Sequence, residues 1–407
     1  LSFLGTGRYS ETHYTWNDDS KETKFMPVAL QALFEPDELL VAETPGARDK
    51  HGAALRDACD FTSVDVPEAT DASDWWKMFN ALTEAVPEGT TLLLDITHGF
   101  RSQPFLALAV VLFLRATKNV EVERIVYGAF EARSEDNRTP VFDLTAFLDL
   151  VDGAVATQIF TSYGDARPLR DTFQAMTDQA VTASSSEPTG STAALQTMGG
   201  QMGRLTTALA LNRPHEALQL SDALIDQLKD SMTEATDVPE ARPLRRLLVA
   251  ATRHFAPLGQ AAGDPFSPEG FTAQAAMLRF YLETEQYLQA FTFAREALVT
   301  WTCIAEAFDP IMEGTRGDDD TDPAGRKGAI HRLAQMAYGG ETTTDTDETL
   351  AALWRDVRHH RNDIAHPDFN ADASGSGRLI AEAQRTLRDV VTFLDAHPPR
   401  PPDEASA

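Results

Sequence analysis

The sequence predicts an α/β domain with a parallel sheet at the N-terminus, followed by an all-α remainder. In the first 150 residues, short apolar or β-branched segments alternate with helical patterns, an order typical of a doubly wound sheet with right-handed crossovers. From about residue 145 the hydrophobic spacing is helical almost throughout. Because 407 residues exceed what one hydrophobic core usually covers, we expect two or three domains.

In the α/β part, five segments predict strands: residues 1–4, 39–41, 61–66, 91–95 and 124–129. Residues 91–94 are continuously apolar or β-branched, as expected of a strand covered on both faces. Helical patterns lie between the strands, at residues 47–58, 75–85 and 104–114. In the all-α part, helices are predicted at residues 193–211, 214–229, 239–255, 272–281, 287–308, 329–337, 349–364 and 379–394.

The composition is that of a soluble globular protein, with 43% hydrophobic and 24% charged residues. The longest apolar run, residues 105–114, is half of the roughly 20 residues that a membrane span needs, so we expect a buried helix and no membrane association. The net charge of -27 argues against a protein that coats nucleic acid electrostatically, but a small basic site stays compatible with it. Cys59 and Cys303 predict two buried thiols in a reducing cytoplasm, with neither a disulfide nor a metal site.

Glycine and polar residues follow two of the predicted strands, at the edge where open α/β sheets bind ligands. The first strand runs into Gly5-Thr6-Gly7-Arg8-Tyr9, hereafter the glycine loop. The fourth runs into Asp95-Ile96-Thr97-His98-Gly99-Phe100-Arg101-Ser102, hereafter the motif loop. The motif loop meets the start of a predicted helix, where backbone N–H groups, His98 and Arg101 suit a phosphate.

Structural interpretations of both loops stay open. The glycine loop can be only a tight turn, and His98 can be a capping or packing residue. The glycine loop also lacks the full G-x-G-x-x-G fingerprint, so a dinucleotide-dependent dehydrogenase is poorly supported. A cluster of Asp, Thr, His and Arg within seven residues at a strand end is harder to explain by packing alone.

Asp95-Ile96-Thr97-His98-Gly99 resembles the D-x-T-H-G signature of the CRISPR-associated DxTHG-motif proteins, and the first strand with the glycine loop resembles their opening strand. The resemblance implies a Rossmann-like CARF domain over residues 1–150, which dimerises and binds a cyclic oligoadenylate across its two-fold axis. It implies that residues of both loops line this ligand: Gly5, Thr6, Gly7, Arg8, Thr97, His98, Gly99 and Arg101. We expect cyclic tetra-adenylate as the allosteric activator, and no cofactor.

Proteins of this family often carry a C-terminal HEPN domain, whose signature is an Arg followed, after four to six residues, by a His. Arg361-Asn362-Asp363-Ile364-Ala365-His366 resembles that signature, which implies a HEPN-like domain over residues 266–407 and a helical linker domain over 151–265. Three other pairs share the spacing: Arg8/His13, Arg326/His331 and Arg355/His360. Spacing alone therefore does not single out the last pair.

The predicted helix over residues 349–364 favours the pair Arg361 and His366. Its apolar stripe consists of Leu350, Leu353, Val357 and Ile364. Arg361 falls on this stripe, where an unpaired guanidinium is costly, so we expect an anion or a second subunit beside it. Asn362, His366 and Arg358 form a neighbouring polar stripe.

Other residues near this pair carry expectations of their own. We expect Arg358, His359 and His360 to face substrate or solvent. Trp301 and Trp354 are expected to pack in the core or in a dimer contact. In the alternative interpretation of the pair, Arg361 pairs with Asp363 or Asp356, and His366 caps the helix.

The resemblance implies metal-independent cleavage of single-stranded RNA, with two HEPN motifs facing each other in a homodimer. The 2′-hydroxyl attacks the adjacent phosphorus, which leaves a 2′,3′-cyclic phosphate and a 5′-hydroxyl end. Arg361 would stabilise the charge that develops on phosphorus, His366 would move protons, and Asn362 would orient the phosphate or the histidine.

The leading hypothesis is thus a cytoplasmic ribonuclease of type III CRISPR antiviral defence, activated by a cyclic oligoadenylate. A second hypothesis is a sensor or regulator without nuclease activity, which would predict a basic recognition helix; the predicted helices from 214 to 256 instead mix acidic and basic residues. In a third, the sensor also cleaves its own ligand, with Thr97 or His98 positioning the attacking 2′-hydroxyl.

Overall fold

The computed structural model of the chain describes residues 1–100, 102–184, 190–233, 246–247, 249–253, 256–260, 266–310, 325–365 and 376–400. The chain divides into two compact units, Leu1–Asp149 and Leu150–Ala407, called here the N-terminal unit and the helical unit. All strands of the described residues lie in the N-terminal unit. An α/β domain followed by a mostly helical remainder is therefore confirmed, while the division at residue 265 stays a prediction.

The N-terminal unit contains eight strands among its described residues. They are β1 (Ser2–Leu4), β2 (Thr12–Trp16), β3 (Asp19–Thr23), β4 (Leu40–Glu43), β5 (Thr62–Asp65), β6 (Thr91–Asp95), β7 (Glu121–Gly128) and β8 (Arg138–Asp143). One sheet has the order β1-β4-β5 and is parallel throughout. The other has the order β3-β2-β8-β7-β6.

Two hydrogen bonds connect these sheets between β1 and β6. The Leu1 nitrogen donates to the Leu93 carbonyl, and the Asp95 N–H donates to the Leu1 carbonyl, both at 2.8 Å. This is the pattern of a parallel bridge. The carboxyl ends of β4, β1 and β6 therefore lie side by side at one edge, which positions the candidate site.

Helices cover both faces of the parallel strands. They are α1 (Met26–Phe34), α2 (Pro45–Ala47), α3 (Ala53–Arg56), α4 (Ala72–Ala85) and α5 (Gln103–Lys118), with a π turn, Arg48–Gly52, between α2 and α3. Phe3 of β1 lies in the hydrophobic cluster that includes α4 and α5, whereas Leu4 lies in the cluster that includes α1 and α3. Successive strand residues point to opposite faces, so this alternation produces the doubly wound arrangement.

The predicted parallel sheet is confirmed in β1, β4 and β5, and the N-terminal unit contains a second, mixed sheet. The pairs β2–β3 and β7–β8 are antiparallel, and β2, β3 and β8 are strands that the sequence pattern did not predict. The sequence of β3, Asp19–Thr23, is polar throughout, so it lacks the apolar signal of a core strand. The residue type in the turn before it is the available signal. Hairpin turns require a positive φ, which asparagine tolerates, and Asn17 adopts a φ of 51°.

The helical unit is built around one hydrophobic cluster that extends from Ala156 to Leu394. Its helices are Ala146–Tyr163, which starts in the N-terminal unit, Arg167–Ser184, Gly190–Ala210, Pro214–Thr233, Pro268–Glu283, Tyr287–Ala305, Arg326–Ala334, Asp345–Ala365 and Ser376–Ala396. A second π turn, Gln335–Gly339, follows Arg326–Ala334. The predicted helix over 239–255 lies largely outside the described residues.

Several single-residue expectations are confirmed. Cys59 and Cys303 are free and buried, and Trp354 is buried in the helical core. Trp301 is half-buried and packs against Phe393 at a centroid distance of 5.3 Å. Within the residues that the structure describes, no helix is both long and apolar enough to cross a membrane.

Gly128, at the end of β7, is predicted to tolerate no side chain. A Cβ there would lie 2.7 Å from Cε1 of the buried Tyr14 ring, so Gly128→Ala should lower the free energy of unfolding by about 1–3 kcal/mol. Gly200 lies in a helix at a position where an added methyl group would meet no atom within 4 Å. Gly200→Ala should therefore raise the free energy of unfolding by up to about 1 kcal/mol. Denaturant unfolding followed by circular dichroism measures both, and equal effects of the two substitutions would contradict the packing described here.

Candidate functional site

The loops that follow β1, β4 and β6 meet at the carboxyl edge of the parallel strands. A Cβ on Gly5 would lie 2.5 Å from the carbonyl oxygen of His98, so the glycine loop touches the motif loop where only glycine fits. A Cβ on Gly46, at the start of α2, would lie 3.6 Å from Cγ2 of Thr6. The two loops predicted from sequence are thus brought together, and a third segment joins them.

Asp95, the first residue of the D-x-T-H-G motif, anchors this edge. Its carboxylate is fully buried and accepts hydrogen bonds from Ser2 Oγ at 2.5 Å, from the Thr97 N–H at 2.9 Å and from Thr97 Oγ1 at 2.5 Å. Burial raises the pKa of Asp95, and the hydrogen bonds from Ser2 and Thr97 oppose this effect. Thr97 Oγ1 in turn accepts from the Gly128 N–H at 2.8 Å, so this hydroxyl connects β6 to β7.

His98 caps helix α1. Its Nε2 accepts a hydrogen bond from the Met26 N–H at 3.0 Å, and Met26 is the first residue of that helix. Burial lowers the pKa of His98 to about 4; the nearby His51 adds to this, and a hydrogen bond to the Lys24 carbonyl opposes it. At neutral pH the ring is therefore uncharged, and His98 brings no positive charge to this edge.

Three rings stack beside the glycine loop. Tyr9 lies between His98, at a centroid distance of 4.1 Å, and His51, at 4.6 Å. The Tyr9 hydroxyl accepts from the Gly5 N–H and donates to the Gly5 carbonyl, both at 2.9 Å, which closes the loop on itself. Burial raises the pKa of Tyr9 to about 12, so the phenol stays protonated in this role.

Two basic side chains from the π turn contact the same loop. Lys50 Nζ donates to the Thr6 carbonyl at 2.6 Å, and His51 Nε2–H donates to the Gly7 carbonyl at 2.8 Å. Sequence reasoning missed Lys50, His51 and the stacking role of Tyr9. The order of the strands was the available signal, because the segment after β4 must reach the same edge as the loops after β1 and β6.

The remaining predicted ligand-lining residues have less defined surroundings. Gly7 and Arg8 are exposed, and Gly99 is half-buried beside the Gln103 side chain. Gln103 Oε1 accepts from the Phe100 N–H at 2.7 Å, which fixes the motif loop at the start of α5. Arg101 lies outside the described residues, so its role stays a prediction.

In the helical unit, Arg361 is half-buried near the end of the helix Asp345–Ala365, and its Nη1 donates to Asn362 Oδ1 at 3.3 Å. Among the described residues Arg361 forms no ion pair, including with the candidates Asp356 and Asp363. His366 lies outside the described residues. The pairing of Arg361 with His366 therefore stays a prediction.

His360 corrects one expectation for this helix. It is 6% exposed and packs against Phe291 at a centroid distance of 5.5 Å, so the expectation that it faces solvent or substrate is wrong. Counting along the helix explains this, because position 360 lies three residues after Val357 and four before Ile364. Burial lowers the pKa of His360, with a further contribution from His359. Arg358 and His359 are exposed, as expected.

Contacts distinguish the arginines of two other Arg–His pairs, Arg326 and Arg355, from Arg361. Arg326 bonds Glu296 Oε2 at 2.7 Å and Thr300 Oγ1 at 2.9 Å, and Arg355 donates to the Ala337 carbonyl at 2.8 Å. Both arginines thus hold structure in place. Within the described ranges, no group of three or more His, Cys, Asp or Glu side chains is arranged to hold a metal ion.

Comparison with known proteins adds one similarity. The chain matches no family model. It is 32% identical over 99 residues to the CRISPR-associated protein MJ1674 of Methanocaldococcus jannaschii. The match covers 24% of this chain and 16% of the M. jannaschii protein, so the chain spans less than two thirds of the length of that protein.

His98→Phe tests the capping role of this histidine. The phenyl ring keeps the stacking on Tyr9 but leaves the Met26 N–H without its acceptor, which should cost about 1–3 kcal/mol of folding stability at pH 7. The wild-type advantage should also depend on pH. With a pKa of about 4 in the folded state and an ordinary value of 6.5, the contribution of His98 is complete above pH 6.5 and declines as the pH falls towards 4.

Unfolding free energies measured between pH 7 and pH 4 check this pH dependence. The difference between wild type and His98→Phe should narrow by up to about 3 kcal/mol over that interval. Parallel stability curves for the two proteins would show that His98 is not held neutral by the fold.

Proposed function

We propose that the N-terminal unit is a CARF-like sensor of a cyclic oligoadenylate, and that the helical unit is a HEPN-like ribonuclease that this ligand activates. The stack of His51, Tyr9 and His98 next to the glycine loop carries the proposal. A nucleotide needs flat surfaces for its bases and hydrogen-bond donors for its phosphates, and this edge offers both. The D-x-T-H-G resemblance and the similarity to a CRISPR-associated protein support a CRISPR-related function.

An anionic ligand fits the charge distribution at this edge. The chain has 62 acidic and 35 basic residues, so most of its surface repels phosphates. Arg8, Lys50 and His51 nevertheless lie together around the glycine loop. Gly5 lets this loop approach its neighbour closely, where any side chain would collide with the His98 carbonyl.

A homodimer would complete the site for a ring-shaped ligand, and helix α5 supports this part of the proposal. Its first twelve residues contain no charged side chain, and one face packs on the sheet. The opposite face leaves Phe105 81% exposed and Phe113 43% exposed, beside Trp76 of α4 at 68%. Two copies of a chain with net charge -27 repel each other, so an uncharged apolar face is the surface on which they can associate.

The proposed cleavage needs no metal. The 2′-hydroxyl of the RNA loses its proton to water and its oxygen bonds to the adjacent phosphorus, while the bond from phosphorus to the 5′-oxygen breaks and a proton is delivered to that oxygen. His366 would supply this proton, and Arg361 would stabilise the charge on the non-bridging oxygens. Asn362, whose amide oxygen accepts from Arg361, would orient the guanidinium.

Activation requires that the ligand bind the active arrangement more tightly than the inactive one, because differential affinity alone shifts an equilibrium. A sensor without nuclease activity stays the main alternative. Ligand cleavage by the sensor has less support, because the Thr97 hydroxyl is engaged with Asp95 and Gly128 and His98 Nε2 is engaged with Met26.

Cleavage of a quenched-fluorophore RNA, measured with EDTA present and each cyclic oligoadenylate in turn, tests the function. Wild type should cleave only with one ring, expected to be the tetra-adenylate. Arg361→Ala and His366→Ala should each reduce the activated rate by about 10²–10⁴-fold, since each removes one chemical contribution. Arg388→Ala, which removes an exposed arginine from a neighbouring helix, is the matched control and should keep the activity. Binding of a ring without cleavage would reject the nuclease and leave a sensor.

Phe105→Asp tests the dimer. A charge in place of Phe105, the most exposed apolar side chain of the α5 face, should raise the dimer dissociation constant at least about 30-fold, the effect of losing an interface hot spot. Sedimentation velocity over a concentration series measures it. Leu288→Asp, at a 49% exposed position near the start of the helix Tyr287–Ala305, is the control and should leave association unchanged. A wild type that stays monomeric at all concentrations would contradict the proposed interface.

A further inference from the structure

Lys50 and His51 hold two consecutive carbonyls of the glycine loop. Lys50 Nζ donates a hydrogen bond to the Thr6 carbonyl, and His51 Nε2–H donates one to the Gly7 carbonyl. In a planar trans peptide, the C=O and the following N–H point in opposite directions. The N–H groups of Gly7 and Arg8 therefore point away from Lys50 and His51.

These two N–H groups are available to a ligand. Neither finds an acceptor within the part of the chain that the structure describes. Gly7 and Arg8 are both exposed, so their backbone can be reached from solvent. Backbone N–H groups that are exposed and have no acceptor can bind an anion such as a phosphate oxygen.

The Lys50 ammonium group has N–H donors that its bond to the glycine loop does not use. An ammonium group carries three N–H donors, and the Thr6 carbonyl takes one of them. The side chain is exposed, so the other two are open to water or to a ligand. An anion bound at the Gly7 and Arg8 N–H groups would lie on the far side of these peptides from Lys50, close enough for the positive charge of Lys50 to attract it.

The turn that carries Lys50 is rigidly anchored on the buried carboxylate of Glu43, the last residue of β4. Glu43 Oε1 accepts from Arg48 Nε at 2.9 Å, from Arg56 Nη2 at 2.7 Å and from Ser63 Oγ at 2.6 Å. Arg48 begins the π turn and Arg56 ends the helix after it, so both ends of the segment are fixed. Single π turns are rare and occur frequently at functional sites, where they place side chains that a regular helix would direct elsewhere.

We propose that Lys50 is a phosphate-binding residue of this site, and that Lys50 and His51 orient the glycine loop so that the Gly7 and Arg8 N–H groups bind a neighbouring phosphate of the same ligand. The inference rests on the proposed function, since the phosphates are those of the cyclic oligoadenylate. Lys50 keeps its hydrogen bond to the Thr6 carbonyl on binding and gives its remaining donors to the ligand.

Lys50→Gln tests this directly, because glutamine can still donate to the Thr6 carbonyl but has no charge. Binding of each cyclic oligoadenylate is measured by titration calorimetry at several salt concentrations. At low salt Lys50→Gln should bind about tenfold more weakly than wild type, and the slope of log affinity against log salt should decrease by about 1. Lys77→Gln, which removes a lysine paired with Asp74 on α4, is the control and should match wild type.

The outcomes separate the inference from the proposed function. Wild-type affinity and an unchanged salt slope in Lys50→Gln would show that Lys50 only supports the loop, and would reject the inference alone. A wild type that binds none of the rings would reject the proposed function and the inference with it. Equal thermal unfolding midpoints of the two variants and wild type establish that any loss is one of binding.

Discussion

The geometry of the candidate site depends on one buried carboxylate, that of Asp95. Burying a carboxylate is costly unless hydrogen bonds replace its water shell, and Ser2 and Thr97 provide them here. These bonds connect the end of β6 to β1, and the Thr97 hydroxyl also accepts from the Gly128 N–H, which connects β6 to β7. Once the three strand ends are fixed, the motif loop can touch the glycine loop only where Gly5 leaves room for the His98 carbonyl.

A second buried carboxylate, Glu43, anchors the π turn that carries Lys50 and His51, as Asp95 anchors the strand ends. It holds Arg48 and Arg56, and through them the π turn with its basic side chains. The second π turn of the described residues, Gln335–Gly339, carries Tyr338, whose ring lies under the Arg358 guanidinium at 5.7 Å, one helical turn before Arg361. Both irregular turns thus lie beside candidate sites, which agrees with the tendency of such turns to be kept where side-chain placement matters.

The sequence predicted the parallel strands and the helices well, because continuous apolar strands and amphipathic helices leave strong periodic signals. It failed for the hairpin of β2 and β3, because β3 is polar throughout and the alternation of Tyr14 and Trp16 in β2 extends over only five residues. On the helix Asp345–Ala365 the apolar stripe agrees with the prediction, but the buried position between Val357 and Ile364 that the pattern assigns to Arg361 is occupied by His360. The contacts of Lys50 and His51 could not be predicted, because they depend on the path of a π turn that no local pattern specifies.

The loops at the carboxyl edge of the parallel strands are already ordered without a ligand, and this limits how a ligand can act on the protein. The glycine loop is held by Tyr9, Lys50 and His51 and the motif loop by Asp95 and Gln103, so little among the described residues of these two loops is left to be ordered by binding. A preorganised site gives affinity at low conformational cost, but equal affinity for two states shifts neither of them. If a cyclic oligoadenylate activates the helical unit, the contacts that differ between the active and inactive states must therefore lie beyond this edge. The exposed α5 face, through which we propose that a second copy binds, is where the arrangement of two such edges around one ring would be decided.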